Sequence, residues 1–261
     1  MRRMVAPLLG LALVVAACSS KGGTSSTPTA RRTLVVFAAS SLTKSFTKIG
    51  ADFEAANAGV RVSFDFGASS DLATQIESEG AADVFASASG AWMDEVATKT
   101  GVTDRVNFAT NDLVIITPAS NPAAVRTIAD LGKPGVSLVL GAPGVPVGDY
   151  ARQALDNAGI AGPAEQNVVS NEPDDASLVA KVSAGEADAA IVYASDVAGV
   201  ATGQVSAVAI PADVNVLATY PIAAVDGSSD VNLAHRFIEY VSGSGGRASL
   251  TSFGFGPPPA G

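Results

Sequence analysis

The sequence predicts an α/β protein folded as two doubly wound lobes, and three observations carry that prediction. Short apolar runs alternate with stretches of helical periodicity over roughly 200 of the 261 residues, as in strands joined through helices. The first run, Leu34-Val35-Val36-Phe37, is apolar at consecutive positions, as expected of a strand covered on both faces. No G-x-G-x-x-G follows it, so one large dinucleotide-binding sheet lacks its fingerprint and two smaller parallel sheets suit the length better.

After that strand, Leu42, Phe46, Ile49 and Phe53 recur at helical spacing. Val60, Val62, Phe64 and Phe66 alternate with Arg61, Ser63 and Asp65, the period of a strand. Leu72 and Ile76 begin another helical face, and Asp83-Val84-Phe85-Ala86 reads as a strand. Further strands are predicted at 113–117, 136–140, 167–170 and 190–193, with helices at 149–158 and 175–184. A last helix around Leu233, Phe237 and Val241 is expected to stop at the glycine-rich stretch 242–246, and the tail Gly256-Pro257-Pro258-Pro259 to be loose.

Residues 1–17 are of another kind. Arg2 and Arg3 precede the apolar run 4–17, which is shorter than the ~20 residues a membrane-spanning helix needs and suits a signal peptide. Val15-Ala16-Ala17-Cys18 resembles the lipobox of bacterial lipoproteins, and the chain's one cysteine stands where lipidation requires it. Residues 18–32, rich in Ser, Thr, Gly and Pro, read as the lipidated cysteine and a flexible tether. The expected product is a monomeric domain anchored by lipid at Cys18 on the outer face of the cell membrane.

Composition excludes several classes. With 25 acidic and 16 basic residues the net charge is −9, and loss of Arg2 and Arg3 takes it to −11, against nucleic acid as a partner. One cysteine rules out an internal disulfide, and one histidine rules out a multi-His metal cluster. No G-x-S-x-G and no G-x-x-x-x-G-K-[ST] occurs, and His235 reads as a helix-surface residue, so no enzyme is predicted.

Small hydroxyl residues stand at the joints between strand and helix: Ser40-Ser41 after the first strand and Ser69-Ser70 after the second. Such joints lie at the carboxyl ends of strands, where α/β sheets bind ligands, and helix N-termini add unpaired donors there. Capping alone would also explain one such pair.

From the first joint onward the chain resembles the periplasmic molybdate-binding proteins of ABC transporters. The likeness is carried, in order, by Val36-Phe37-Ala38-Ala39-Ser40-Ser41-Leu42, Phe66-Gly67-Ala68-Ser69-Ser70, Ala82-Asp83-Val84-Phe85-Ala86-Ser87-Ala88 and Trp92-Met93-Asp94. It continues through Asn111-Asp112-Leu113-Val114, Val145-Pro146-Val147-Gly148, the run from Gly185 to Asp196 and Phe253-Gly254-Phe255.

The resemblance implies a type II periplasmic-binding-protein-like fold, with two lobes joined by a two-strand hinge. Lobe one would be 33–112 plus 221–261 and lobe two 113–220, crossing near Asn111-Asp112 and Thr219-Tyr220-Pro221. It implies capture of molybdate, with tungstate as a second ligand, and delivery to an ABC permease and its ATPase. The same fold binding another tetrahedral oxyanion, such as sulfate, is the alternative. No cofactor is implied, and molybdenum would be present only within the bound oxyanion.

Carried onto this chain, Ser41 and Ser69 each provide a hydroxyl and a backbone N–H, Val147 and Asp175 a backbone N–H, and Tyr193 a hydroxyl. The set contains donors only. Two positions depart from the family: Val147 replaces a more usual alanine, and Asp175 a more usual valine. A carboxylate beside a dianion would repel it, so the Asp175 side chain is expected to point away, or the contact to shift to Ala176.

Overall fold

The computed structural model describes residues 32–198 and 203–259; the leader, Cys18 and nearly all of the tether lie outside them. The first lobe starts with β1 (Arg32–Ala39), buried almost throughout from Leu34 onward. β1 lies between β2 (Val60–Gly67) and β3 (Val84–Ala86) and is parallel to both, with Val36 opposite Phe64 on one side and Val84 on the other. The crossovers are α1 (Thr43–Ala56), entered through a 3-10 turn at Ser40–Leu42, and α2 (Ser69–Glu79). α3 (Gly90–Lys99) then leads to β4 (Val102–Asn111).

The helical stripe of α1 makes this lobe's core. Phe46 packs against Phe64, Phe108 and Phe237, and Phe53 meets Phe237 edge-on at 5.2 Å between centroids. Such aromatic pairs add about 0.5–1.5 kcal/mol each beyond the area they bury.

Across Asp112 the chain passes into a second sheet with β5 (Leu113–Pro118). That sheet also holds β6 (Leu138–Gly141), β7 (Val168–Glu172), β8 (Ala189–Tyr193) and β9 (Val205–Ala209), in the order β7-β6-β8-β5-β9. α4 (Pro146–Asn157), α5 (Ala161–Glu165) and α6 (Asp175–Ser183) connect its strands, and short α7 (Ala194–Ala198) follows β8. β10 (Ala218–Val225) returns to the first sheet, whose order is β2-β1-β3-β10-β4, before α8 (Val231–Ser242) and α9 (Ser244–Ser252).

Four expectations change. The sheets are mixed, not wholly parallel: β10 is antiparallel to β3 and β4, and β5 to β8 and β9. β5 and β10 each arrive from the opposite lobe, not through a helix packed on their own sheet, so nothing forces them parallel. The return crossing precedes Ala218, because Thr219 to Pro221 are already paired with β4. The helix around Phe237 stops at Ser242 as expected but is not the last: α9 begins at Ser244, and a Cβ on Gly246 within it would lie 2.1 Å from the Val241 carbonyl oxygen. The tail is tied down, since Gly256 donates to the Thr110 carbonyl at 2.8 Å and Thr110 Oγ1 to that of Pro257 at 2.8 Å.

The two crossings are fastened together. The Asn215 side chain accepts from Leu113 N–H at 3.3 Å and donates to Leu113 O at 3.0 Å. Asn111 donates to Ser195 Oγ at 2.7 Å, joining the end of β4 to α7 of the other lobe.

Candidate functional site

Four helical N-termini meet between the lobes. From the first lobe come the 3-10 turn beginning at Ser40 and α2 beginning at Ser69; from the second come α4, beginning at Pro146, and α6, beginning at Asp175. Ser40, Ser69, Val147, Asp175 and Tyr193 share the wall of one cavity of about 10 Å3. That is near the minimum for one water molecule, so the walls have to part to admit anything larger.

Each start leaves amides free. Ala68 and Val145 precede α2 and α4 without a side-chain cap. The first bonds of those helices run from Leu72 N–H to Ala68 O at 3.0 Å and from Gly148 N–H to Val145 O at 2.9 Å. The Ser69 and Val147 amides come before them and have no partner within the helix. Pro146 costs no donor, because an amide at the first helical position is unpaired in any case. In α6 the Asp174 carboxylate accepts from Ser177 N–H at 2.7 Å, which leaves the Asp175 and Ala176 amides.

The glycines around α4 serve close approach. A Cβ on Gly148 would stand 2.2 Å from the Gly141 carbonyl oxygen, so backbone packs on backbone where β6 meets the helix start. This holds the Val147 amide at the cavity wall and gives the glycine-rich loop its structural reason.

The hydroxyls are oriented as donors. Ser69 Oγ accepts from Ala88 N–H at 3.0 Å, which leaves its own hydrogen to give elsewhere. Tyr193 Oη is buried with no hydrogen-bond partner among the described residues. Burial raises the Tyr193 phenol well above its ordinary value, helped by neighbouring Tyr220, Asp175, Tyr150 and Asp196, so it stays protonated. A buried unpaired O–H on a cavity wall calls for a partner, and here the ligand space offers one. The ring itself is fixed by Tyr220, 5.8 Å away at 68°, which in turn packs edge-on against Phe255.

Of the residues singled out from sequence, Ser69, Val147, Asp175 and Tyr193 come together on this cavity. Ser41 lies beside it: its hydroxyl is 3.0 Å from Tyr220 Oη, and it lines an adjoining cavity of about 240 Å3. Ser40 lines both. The Asp175 side chain does not point away: it accepts a hydrogen bond from Ser40 Oγ across the cleft. Burial raises the Asp175 carboxyl above its usual range. Lys44 lines the larger cavity, and no Lys or Arg lines the smaller among the described residues.

Sequence reasoning gave Ser40, Asp196, Tyr220 and Trp92 no role at the site, although Ser40 stood at the first serine joint, Tyr220 at the return crossing, and Trp92 and Asp196 in the runs that carry the resemblance. Asp196 accepts from Tyr193 N–H at 2.9 Å, and the Trp92 indole donates across the cleft to Gly144 O at 2.8 Å. The arrangement can surround a small anion with neutral donors from four helix ends and one phenol, each hydrogen bond to a charged group contributing about 1.5–3 kcal/mol.

The sequence model of the bacterial extracellular solute-binding protein family matches residues 34–256. Molybdate-binding protein ModA of Mycobacterium tuberculosis H37Rv is 42% identical over 258 residues, covering 98% of this chain and 97% of that protein. Molybdate-binding protein ModA of Escherichia coli K12 is 33% identical over 231 residues, covering 85% and 88%. Among solved structures, the periplasmic molybdate-binding protein of Azotobacter vinelandii superposes with a TM-score of 0.76 at 19% identity, covering 87% of this chain and 100% of that one, a likeness of fold.

Proposed function

The chain belongs to the ModA family of bacterial extracellular solute-binding proteins, and from that premise we propose that it captures molybdate between its lobes and delivers it to an ABC permease. One observation carries the reading: four helix N-termini and the unpartnered Tyr193 hydroxyl face one small interlobe cavity. Molybdate is a ligand and cargo here, not a cofactor. Ser69, Val147, Asp175 or Ala176, and Tyr193 hold it through N–H and O–H groups, with Ser41 reaching in from the adjoining wall as the lobes part and re-close. The protein acts by binding and not as an enzyme.

The cleft works by hinge closure, and the ligand selects the closed state through donors contributed by both lobes. Lobe one comprises 33–112 with the C-terminal portion, and lobe two runs from 113 to the return crossing. Tungstate, with the same charge and shape, is the second ligand. The motif Val15-Ala16-Ala17-Cys18 supports a lipid anchor holding a monomer outside the membrane. Among the described residues no helix is long and apolar enough to cross a membrane.

The N–H and O–H groups favour a fully ionised dianion, since a protonated oxyanion would need an acceptor for its own hydrogen, and the Asp175 carboxylate is engaged by Ser40. Calorimetric titration with molybdate, tungstate and sulfate tests the reading. Tight binding of molybdate with little competition from sulfate supports it, and preference for sulfate overturns it.

A further inference from the structure

Asp175 and Asp196 share the wall of the larger cavity, and each accepts a hydrogen bond there, Asp175 from Ser40 Oγ and Asp196 from Tyr193 N–H. Two carboxylates on one cavity wall repel each other, and a proton on one of them removes that repulsion. Three elements fix the pair. The Ser40 hydroxyl, from the first lobe, donates to Asp175; Tyr193 N–H donates to Asp196 Oδ2 at 2.9 Å; and α6 positions Asp175 in its first turn. The other groups facing the pair are Lys44 on α1, Asp174 at the start of α6, Tyr193 and, on β10, Tyr220. Lys44 is the one cation on that cavity wall among the described residues, against two carboxyl groups, Asp175 and Asp196.

We propose that Asp196 is a positioning residue of the oxyanion site, and that the closed cleft holds one proton between it and Asp175, so that capture of the anion takes up a proton. This rests on the oxyanion-binding reading above. When the cleft opens, Ser40 withdraws and water reaches the pair, so that both carboxyls ionise. On closure a proton from water or buffer bonds to the Asp196 carboxylate, which then donates to Asp175. The charge of the pair falls from two negatives to one, which lowers its repulsion of the arriving dianion. The same proton keeps Asp196 in place to accept the Tyr193 amide hydrogen, and so sets the strand end that carries the Tyr193 hydroxyl.

Burial raises Asp175, and burial together with the Asp175 charge raises Asp196 well above the ordinary carboxylate range. A bound dianion pushes in the same direction. The closed state therefore binds more protons than the open one. Its advantage is complete at low pH and is lost as pH rises through the raised closed-state value, so affinity falls with rising pH in that window.

The test is calorimetric titration of the whole protein with sodium molybdate between about pH 6 and 8, in two buffers of different protonation enthalpy. The wild-type protein is expected to take up a large fraction of one proton per molybdate. Asp196→Asn, whose amide donates to Asp175 without titrating, is expected to take up none and to show an affinity independent of pH. No uptake by the wild type, a measurement that does not depend on the variant's folding, overturns the proposal, as does equal uptake by Asp196→Asn. Absence of any molybdate binding by the wild type overturns the functional reading and this inference with it, and is distinct from binding without proton uptake.

Discussion

Trp92 of the first lobe donates its indole N–H to the carbonyl oxygen of Gly144 in the second, at 2.8 Å. Asp149 holds that turn by accepting the Gly144 N–H at 2.9 Å, and the loop goes on to present the Val147 amide. The indole thus fastens one lobe to a loop that the other lobe contributes to the site. Trp92→Phe keeps a ring and removes the donor. Calorimetry should show molybdate affinity reduced about two- to tenfold, from a net ~0.5–1.5 kcal/mol for a neutral hydrogen bond. Trp92 is the single tryptophan, so the emission of the wild-type protein should change as molybdate closes the cleft.

Tyr193→Phe should move stability and binding in opposite directions. The hydroxyl is buried without a partner, so its removal relieves a desolvation cost in the ligand-free protein. The melting temperature without ligand should hold or rise, while molybdate affinity falls about tenfold or more. A parallel loss of both would mean that the hydroxyl serves the fold and not the ligand.

Ser69→Ala removes a hydroxyl whose oxygen is already engaged by Ala88 N–H and whose hydrogen is left for a ligand. Affinity should drop about tenfold or more, from ~1.5–3 kcal/mol per bond to a charged group. Ser41→Ala should do the same if Ser41 exchanges Tyr220 for the anion on closure. Unchanged affinity in both variants, measured by calorimetry, would remove the site from this part of the cleft.

Gly148→Ala puts a methyl 2.2 Å from the Gly141 carbonyl oxygen, and backbone on both sides has to shift. Thermal unfolding should show a loss of roughly 1–3 kcal/mol, as in overpacked cores. Molybdate affinity should fall as well, because the shift displaces the Val147 amide.

Local pattern carried most of the fold. The stripe Leu42, Phe46, Ile49, Phe53 and the alternation from Val60 to Phe66 became α1 and β2, because burial of one face imposes a period of 3.6 or 2 on any chain. The serine joints were legible for a related reason: a helix start must leave its first amides unpaired, and the residues there are drawn from a short list. The antiparallel strands β5 and β10 were less legible in their direction, since a buried strand is equally apolar whichever way its neighbours run. The tail was misread because glycine and proline mark a turn without saying what the turn lies against.

The sequence by itself determined the two-lobed α/β plan and the family, and it placed serines at the joints where two helical segments begin. Only the tertiary structure decided what those residues face. Ser40 and Asp175 lie 135 positions apart, Trp92 and Gly144 52 apart, and neither contact leaves a trace in local pattern. Periodicity records which side of an element leaves water. A hydrogen bond across a cleft depends instead on how two lobes close, and that is set by the whole chain at once. For that reason Asp175, expected to turn its carboxylate away or to leave the contact to Ala176, turns it toward Ser40.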